Sequence, residues 1–148
     1  MLTQHKIATI FGGTGFVGRH IVRKLAKAGY TVKVATRSAE HAYFLKPYGT
    51  PGQIVPFTCD YNSPQSIADA VSGAEAVINC VGILYERRRG QFARLHTDLP
   101  RQIAECARKS GVRHFVHISA MGADRGTSRY ARTKHAGEAV VREEFPDA

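Results

Sequence analysis

Four glycines in seven positions, Gly12, Gly13, Gly15 and Gly18, stand directly after a short apolar run ending Ile10-Phe11. A core strand has no use for glycine, which costs backbone entropy and packs nothing, so something must approach the main chain closely here. The spacing fits G-x-G-x-x-G from Gly13 and G-x-x-G-x-x-G through Gly12, Gly15 and Gly18. Between a strand and a helix, such a turn lets a pyrophosphate reach the backbone and presents it with the positive end of the helix. Thr14, Phe16 and Val17 lie in the same turn and are counted with its phosphate-binding residues. The second chemical signal comes about twenty residues later, where an NAD site usually carries Asp or Glu for the ribose 2′-hydroxyl. Here the chain reads Thr36-Arg37-Ser38, with no acid before Glu40. A guanidinium offers planar paired donors to a 2′-phosphate, which a carboxylate would repel, so NADP(H) is expected in preference to NAD(H). An ordinary solvated arginine at Arg37 is the alternative.

The elements that must position these residues follow from periodicity. Apolar runs at 6–11, 31–36, 53–58, 76–81 and 114–119 read as strands, and Pro56 marks the third as an edge strand. Helices are expected over 16–28, stopped by Gly29, over 63–71 with Ser63 as N-cap and Pro64 in the first turn, over 98–110 before Gly111, and over 130–144. Strands alternating with helices imply right-handed crossovers and a parallel sheet. The expected fold is therefore α/β, a Rossmann-type doubly wound parallel sheet of about five strands with helices on both faces. Residues 1–148 read as one NAD(P)-binding domain, and Phe145-Pro-Asp-Ala148 ends where another parallel strand is expected, as in the N-terminal part of a longer protein.

Composition agrees with a globular domain: 43% of the 148 residues are hydrophobic and 22% charged. No apolar run approaches the roughly 18 residues of a membrane span. The start, Met-Leu-Thr-Gln-His-Lys, leads straight into a strand-like run and reads without a signal or transit peptide, so a cytoplasmic location is expected. Cys59, Cys80 and Cys106 form no CxxC pair, a pattern of reduced thiols with no disulfide framework and no metal site. Residues 1–39 hold seven Lys/Arg and no Asp or Glu, so they carry most of the net charge of +9. A basic segment around a glycine turn suits a polyanionic ligand.

The glycine turn, Asn79-Cys-Val-Gly82 and Tyr130-Ala-Arg-Thr-Lys134 together resemble the short-chain dehydrogenase/reductase family. VINCVGILYERR (77–88), GVRHFVHISA (111–120) and SRYARTKHAGEAVVREEFP (128–146) are similar to its atypical branch, which holds the NADPH-binding accessory subunit of respiratory complex I and bacterial relatives. The resemblance places Gly12, Gly15, Phe16 and Val17 at the pyrophosphate, Arg37 at the 2′-phosphate and Asp60 beside the adenine. It puts Val81 and Gly82 at the adenosine ribose, with Cys80 beside them as a small hydrophobe inside the fourth strand. It implies that Tyr130 and Lys134 bracket the nicotinamide ribose, the tyrosine moving the proton in active members and the lysine lowering its pKa. Their i, i+4 spacing puts both on one helix face. The third catalytic position departs from the pattern. Ser119 lies one residue before the expected register at Ala120, and a structural hydroxyl bonding its own turn is the other reading. Where many members carry Asn, this chain has His96, read as a satisfied interior group or a hydrogen-bonding substitute.

GluArgArgArgGlyGlnPheAlaArg (86–94) reads as an exposed basic loop, either simply solvated or docking an acidic protein or an anionic membrane through Arg87, Arg88 and Arg89. Three functions remain. The first is an NADP(H)-binding accessory or assembly subunit of a respiratory NADH:quinone oxidoreductase, peripheral on the cytoplasmic face of the inner membrane. The second is an NADPH-dependent reductase of a carbonyl or quinone-like substrate, with Tyr130, Lys134 and Ser119 as its catalytic residues. The third is an NADP(H)-sensing regulator. No recognition helix or interleaved aromatics of the kind nucleic-acid binders use is apparent, so nucleic acid is not expected as a partner.

Overall fold

The computed structural model describes residues 6–148. Its strands are β1 (Ile7–Phe11), β2 (Thr31–Thr36), β3 (Ile54–Thr58), β4 (Ala76–Asn79) and β5 (His114–His117), all parallel and in the order β3-β2-β1-β4-β5. The helices are α1 (Phe16–Lys27), α2 (Pro64–Val71), a short α3 (Gln91–Ala93), α4 (Leu99–Lys109) and α5 (Arg129–Glu144), with 3-10 turns over Ala39–Tyr48. The doubly wound parallel sheet expected from the alternation is present.

Alternation within β1 divides the core. Ala8 and Ile10 face one side, where they meet Val22 and Ala26 of α1, Val32 and Val34 of β2, and Ala42 and Leu45 of the 3-10 turns. Phe11 faces the other side, with Ile67 and Val71 of α2, Ile103 and Ala107 of α4, and Val141 of α5. Thr9 shares that second face, and its hydroxyl donates to the Ala70 carbonyl at 2.8 Å, so even the buried hydroxyl is satisfied. Both faces are covered, as an all-parallel sheet requires. Pro56 lies on β3 at the sheet edge, where a missing N–H costs no ladder bond.

Four local readings are corrected. The fourth strand ends at Asn79 rather than residue 81, because the Asn79 side chain accepts the Val81 N–H at 3.1 Å and turns the chain out of the sheet. Cys80 therefore lies beyond the strand and is half-buried. The fifth strand ends at His117 rather than residue 119. Residues 39–48, given no element from sequence, form 3-10 turns around Pro47. Helical structure also begins at Gln91, inside the segment read as a loop, and passes through a π turn at Arg94–Asp98 before α4. Pro100 has no N–H to give to the His96 carbonyl, so the regular i→i−4 ladder fails at the point where the helix widens.

Candidate dinucleotide site

The strand order reverses direction between β1 and β4, and the chain ends of these strands open the crevice where open α/β sheets bind ligands. The glycine turn crosses that crevice. Gly12 has φ +75°, and a Cβ placed on it would stand 2.7 Å from the Cys80 carbonyl carbon and 2.8 Å from the Val81 nitrogen. Backbone meets backbone there, which only glycine permits. A Cβ on Gly18 would stand 2.8 Å from the Gly13 Cα, so that glycine closes the helix onto the turn. Gly13 is buried against Val34, Ile10 and Val22, which makes it a packing position beneath the turn. Gly15, by contrast, is exposed with only the Gly12 carbonyl nearby.

Helix caps show what the turn is free to do. Ser63 accepts the Ser66 N–H at α2, and Ser128 accepts the Ala131 N–H at α5. At α1 the cap is Gly15, with no side-chain bond and no acid in the first turn. The positive end of α1 is thus left for an external anion, which fits a pyrophosphate. Thr14 and Gly15 are held through their carbonyls by Arg19, whose Nη2 reaches Thr14 O at 3.0 Å and Nε reaches Gly15 O at 3.2 Å. The Arg19 guanidinium rests over Phe44 of the 3-10 turns. Phe16 and Val17 are exposed at the start of α1.

Arg37 follows β2 directly and is exposed at the same edge. Between it and the glycine turn sits Tyr61, which donates to the Ala35 carbonyl at 2.8 Å and packs its ring against Phe11. Burial pushes the Tyr61 phenol up to about 12, so it stays neutral despite the Arg37 charge nearby. Asp60, after β3, is exposed, and one carboxylate oxygen accepts the Asn62 N–H at 2.9 Å.

The other half of the crevice carries the Tyr130 and Lys134 pair. Lys134 is 4% exposed, and its Nζ donates to the Ile118 carbonyl at 2.9 Å. A Cβ on Gly82 would lie 3.9 Å from that Nζ and 3.8 Å from His96 Nε2, so the end of β4, the π turn and α5 converge. Burial pulls the Lys134 ammonium below the usual lysine range, against the opposing charges of Glu138 and Cys80. Burial likewise pushes the Cys80 thiol up to about 11, so it is no nucleophile at neutral pH. Tyr130 packs edge-on against His96 and Phe92.

His96 is fully buried and satisfied, as one of its two readings expected. Nε2 accepts the Ile83 N–H at 3.1 Å, and Nδ1 meets the Thr133 hydroxyl at 3.1 Å. Thr133 in turn gives its proton to the backbone of α5, so the imidazole is neutral with its proton on Nδ1. Burial, then Lys134, holds its pKa down to about 4. Ser119 does not bond its own turn: its hydroxyl donates to Glu138 on α5, one helical turn beyond Lys134.

Three residues with roles here escaped the sequence reading: Arg19, Tyr61 and Glu138. Each had a faint signal, since Arg19 lies four residues after Gly15, Glu138 four after Lys134, and Tyr61 beside Asp60.

A family described as NAD(P)H-binding matches residues 12–145. The chain belongs to this NAD(P)H-binding family. Among its relatives is NADH dehydrogenase [ubiquinone] 1 alpha subcomplex subunit 9, mitochondrial, of Rattus norvegicus, 35% identical over 144 residues, which are 96% of this chain and 38% of that protein. Ceramide reductase of Caulobacter vibrioides is 34% identical over 143 residues, 96% of this chain and 44% of that protein. This NAD(P)H-binding chain thus spans less than half the length of these curated relatives. Its fold is shared by Citrobacter sp. triphenylmethane reductase complexed with NADP(H), with a TM-score of 0.72 at 21% identity over 94% of this chain and 46% of that one. Pen from Bacillus thuringiensis gives a TM-score of 0.81 at 19% identity, over 97% of this chain and 47% of that one. No helix among the described residues is long and apolar enough to cross a membrane.

Proposed function

We propose that the protein binds NADP(H) in preference to NAD(H) and serves as an accessory or assembly subunit of a respiratory NADH:quinone oxidoreductase, held peripherally at the cytoplasmic face of the inner membrane. The observation that carries this reading is the uncapped α1 N-terminus behind Gly12 in a chain 35% identical to a complex I subunit. The main-chain N–H groups of the first turn of α1 hold the pyrophosphate. Arg37 takes the 2′-phosphate, Asp60 borders the adenine, and Val81 and Gly82 border the adenosine ribose. Tyr130 and the buried Lys134 ammonium face the nicotinamide ribose.

The engaged Ser119 hydroxyl favours a subunit that holds its cofactor over one that turns it over, because Glu138 already occupies the group that would steady a substrate oxygen. The test is a thermal-shift titration with NADPH and with NADH, repeated on Arg37→Asp. A ligand at 100 times its Kd stabilises by about 2.7 kcal/mol, so a large shift with NADPH alone, lost in the variant, is expected. Equal shifts with both dinucleotides would remove Arg37 from the site.

A second reading, an NADPH-dependent reductase of a carbonyl or quinone-like substrate, is favoured by one feature: Tyr130 and Lys134 share the site-facing side of α5 in a chain 34% identical to a ceramide reductase. The dinucleotide would supply hydride; the chain's part would be a proton from the Tyr130 hydroxyl, with Lys134 one helical turn further along α5. Under that reading Tyr130→Phe abolishes NADPH oxidation and leaves the thermal shift unchanged. Turnover retained in the variant would remove the role.

A further inference from the structure

The run Leu84-Tyr85-Glu86-Arg87-Arg88-Arg89-Gly90 follows Gly82 out of the crevice and takes no part in the contacts above. Leu84 is 83% exposed and Tyr85 64%, although both are large and mainly apolar. The loop is nevertheless built. The Gln91 side-chain carbonyl accepts the N–H of Arg87 at 2.7 Å and of Arg88 at 3.1 Å. One Glu86 carboxylate oxygen accepts the Phe92 N–H at 3.0 Å, and the other pairs with Arg129 at 3.1 Å.

The consequence is a fixed basic surface. Glu86, Arg87, Arg88, Arg89 and Arg129 line an open pocket of about 650 Å³, so three positive charges are in excess there. The Arg87 guanidinium stands 5.9 Å from the Tyr85 ring, which keeps charge and apolar surface side by side. Arg129 immediately precedes Tyr130, and Leu84 comes two residues after Gly82, so the patch flanks the mouth of the crevice.

We propose that this loop docks the protein on an anionic phospholipid bilayer, with Leu84 and Tyr85 in the interface and Arg87, Arg88, Arg89 and Arg129 on lipid phosphates. Two exposed apolar side chains fall far short of the roughly 800 Å² that each partner buries in a stable protein interface. They suffice at a membrane surface, where shallow burial of a few apolar groups adds to the attraction of basic residues for anionic lipid. Tyrosine, with an apolar ring and a polar tip, belongs at that boundary. The docked orientation turns the crevice mouth toward the lipid. This inference rests on the proposed peripheral attachment, but nothing in this surface depends on a bound dinucleotide, so failure of vesicle binding leaves the dinucleotide reading standing.

The experiment is vesicle co-sedimentation of the whole chain, with phosphatidylcholine alone and with phosphatidylcholine plus phosphatidylglycerol. Binding to the anionic vesicles only is expected. Each arginine contributes about fivefold in affinity, so Arg87→Gln, Arg88→Gln and Arg89→Gln combined lose about a hundredfold. Arg108→Gln, Lys109→Gln and Arg113→Gln combined remove the same charge at the opposite end of the sheet and should lose little. The chain contains no tryptophan, so in Leu84→Trp the indole reports this position alone. Its emission should shift to the blue on anionic vesicles and stay unchanged with soluble oligoglutamate. Equal losses in the two triple variants, no binding to anionic vesicles, or no blue shift on bound vesicles would each overturn the proposal.

Discussion

Among the described glycines, Gly12 alone combines a left-handed φ with a close approach to another segment's backbone. Its left-handed φ and its approach to the Cys80–Val81 peptide come from two chain segments packed without side chains between them. Gly12→Ala must both occupy the left-handed region and push β4's end away, effects of roughly 1–2 and 1–3 kcal/mol. A loss of about 2–5 kcal/mol in urea denaturation is expected, together with loss of the thermal shift that a bound dinucleotide gives. Stability within error of the parent would mean that the turn does not touch β4 in solution. Gly29, Gly73 and Gly111 also have positive φ but open space around them, so the demand at Gly12 is one of contact as well as conformation.

At the scale of elements, α5 carries Tyr130 and Lys134, the pair proposed to face the nicotinamide ribose, and also crosses the π turn. The crossing is close: a Cβ on Gly137 would run into the His96 carbonyl, the same carbonyl that Pro100 leaves without a regular helical partner. Propensity alone says that Gly137→Ala should stabilise a helix interior by about 1 kcal/mol. Packing opposes it, since overfilling a tight contact costs roughly 1–3 kcal/mol and backbone is the atom in the way. Net destabilisation is therefore expected, and, if Lys134 holds the dinucleotide as proposed, weaker dinucleotide binding because α5 shifts Lys134 from the Ile118 carbonyl. A variant more stable than the parent would show that the π turn gives way instead. Legibility differs along this element: the sequence placed α5 within one residue of its start, since helical patterning is local. It could not show what α5 packs on, because π widening arises where Pro100 and the helix crossing act together.

For the whole molecule, the fully buried His96 and the half-buried His117 tie stability to pH. His96 and His117 are both held down to about 4, each by burial first and by the Lys134 charge second. His117 bonds Asn79 through Nδ1, while its Nε2 is buried without a partner. Unfolded, each would take its proton near pH 6.5; folded, it resists until about 4. The unfolded chain therefore binds more protons in that window, so stability is full above about pH 6.5 and falls as pH drops toward 4. At about 1.4 kcal/mol per pKa unit, the fully buried His96 accounts for roughly 3 kcal/mol of the fall. Chemical denaturation at a series of pH values should show the slope, and His96→Gln should reduce it. A flat profile between pH 7 and 4 would mean that these imidazoles titrate freely.

By itself the sequence determined the glycine turn, the alternation of strands and helices, the edge position of Pro56 and the Ser63 cap. These are local properties: residue period, turn chemistry and capping act within a few positions and need no partner elsewhere in the chain. Only the tertiary structure decided that Gly12 meets Cys80, that Lys134 donates to Ile118, that Ser119 is taken by Glu138, and that Tyr61 pins β2's end beneath the turn. Those contacts join segments 16 to 68 residues apart, and the strand order β3-β2-β1-β4-β5 sets which of them meet. Side chains of the right type were visible in the chain, but their partners exist only once the sheet has brought the C-terminal ends of its strands to one edge.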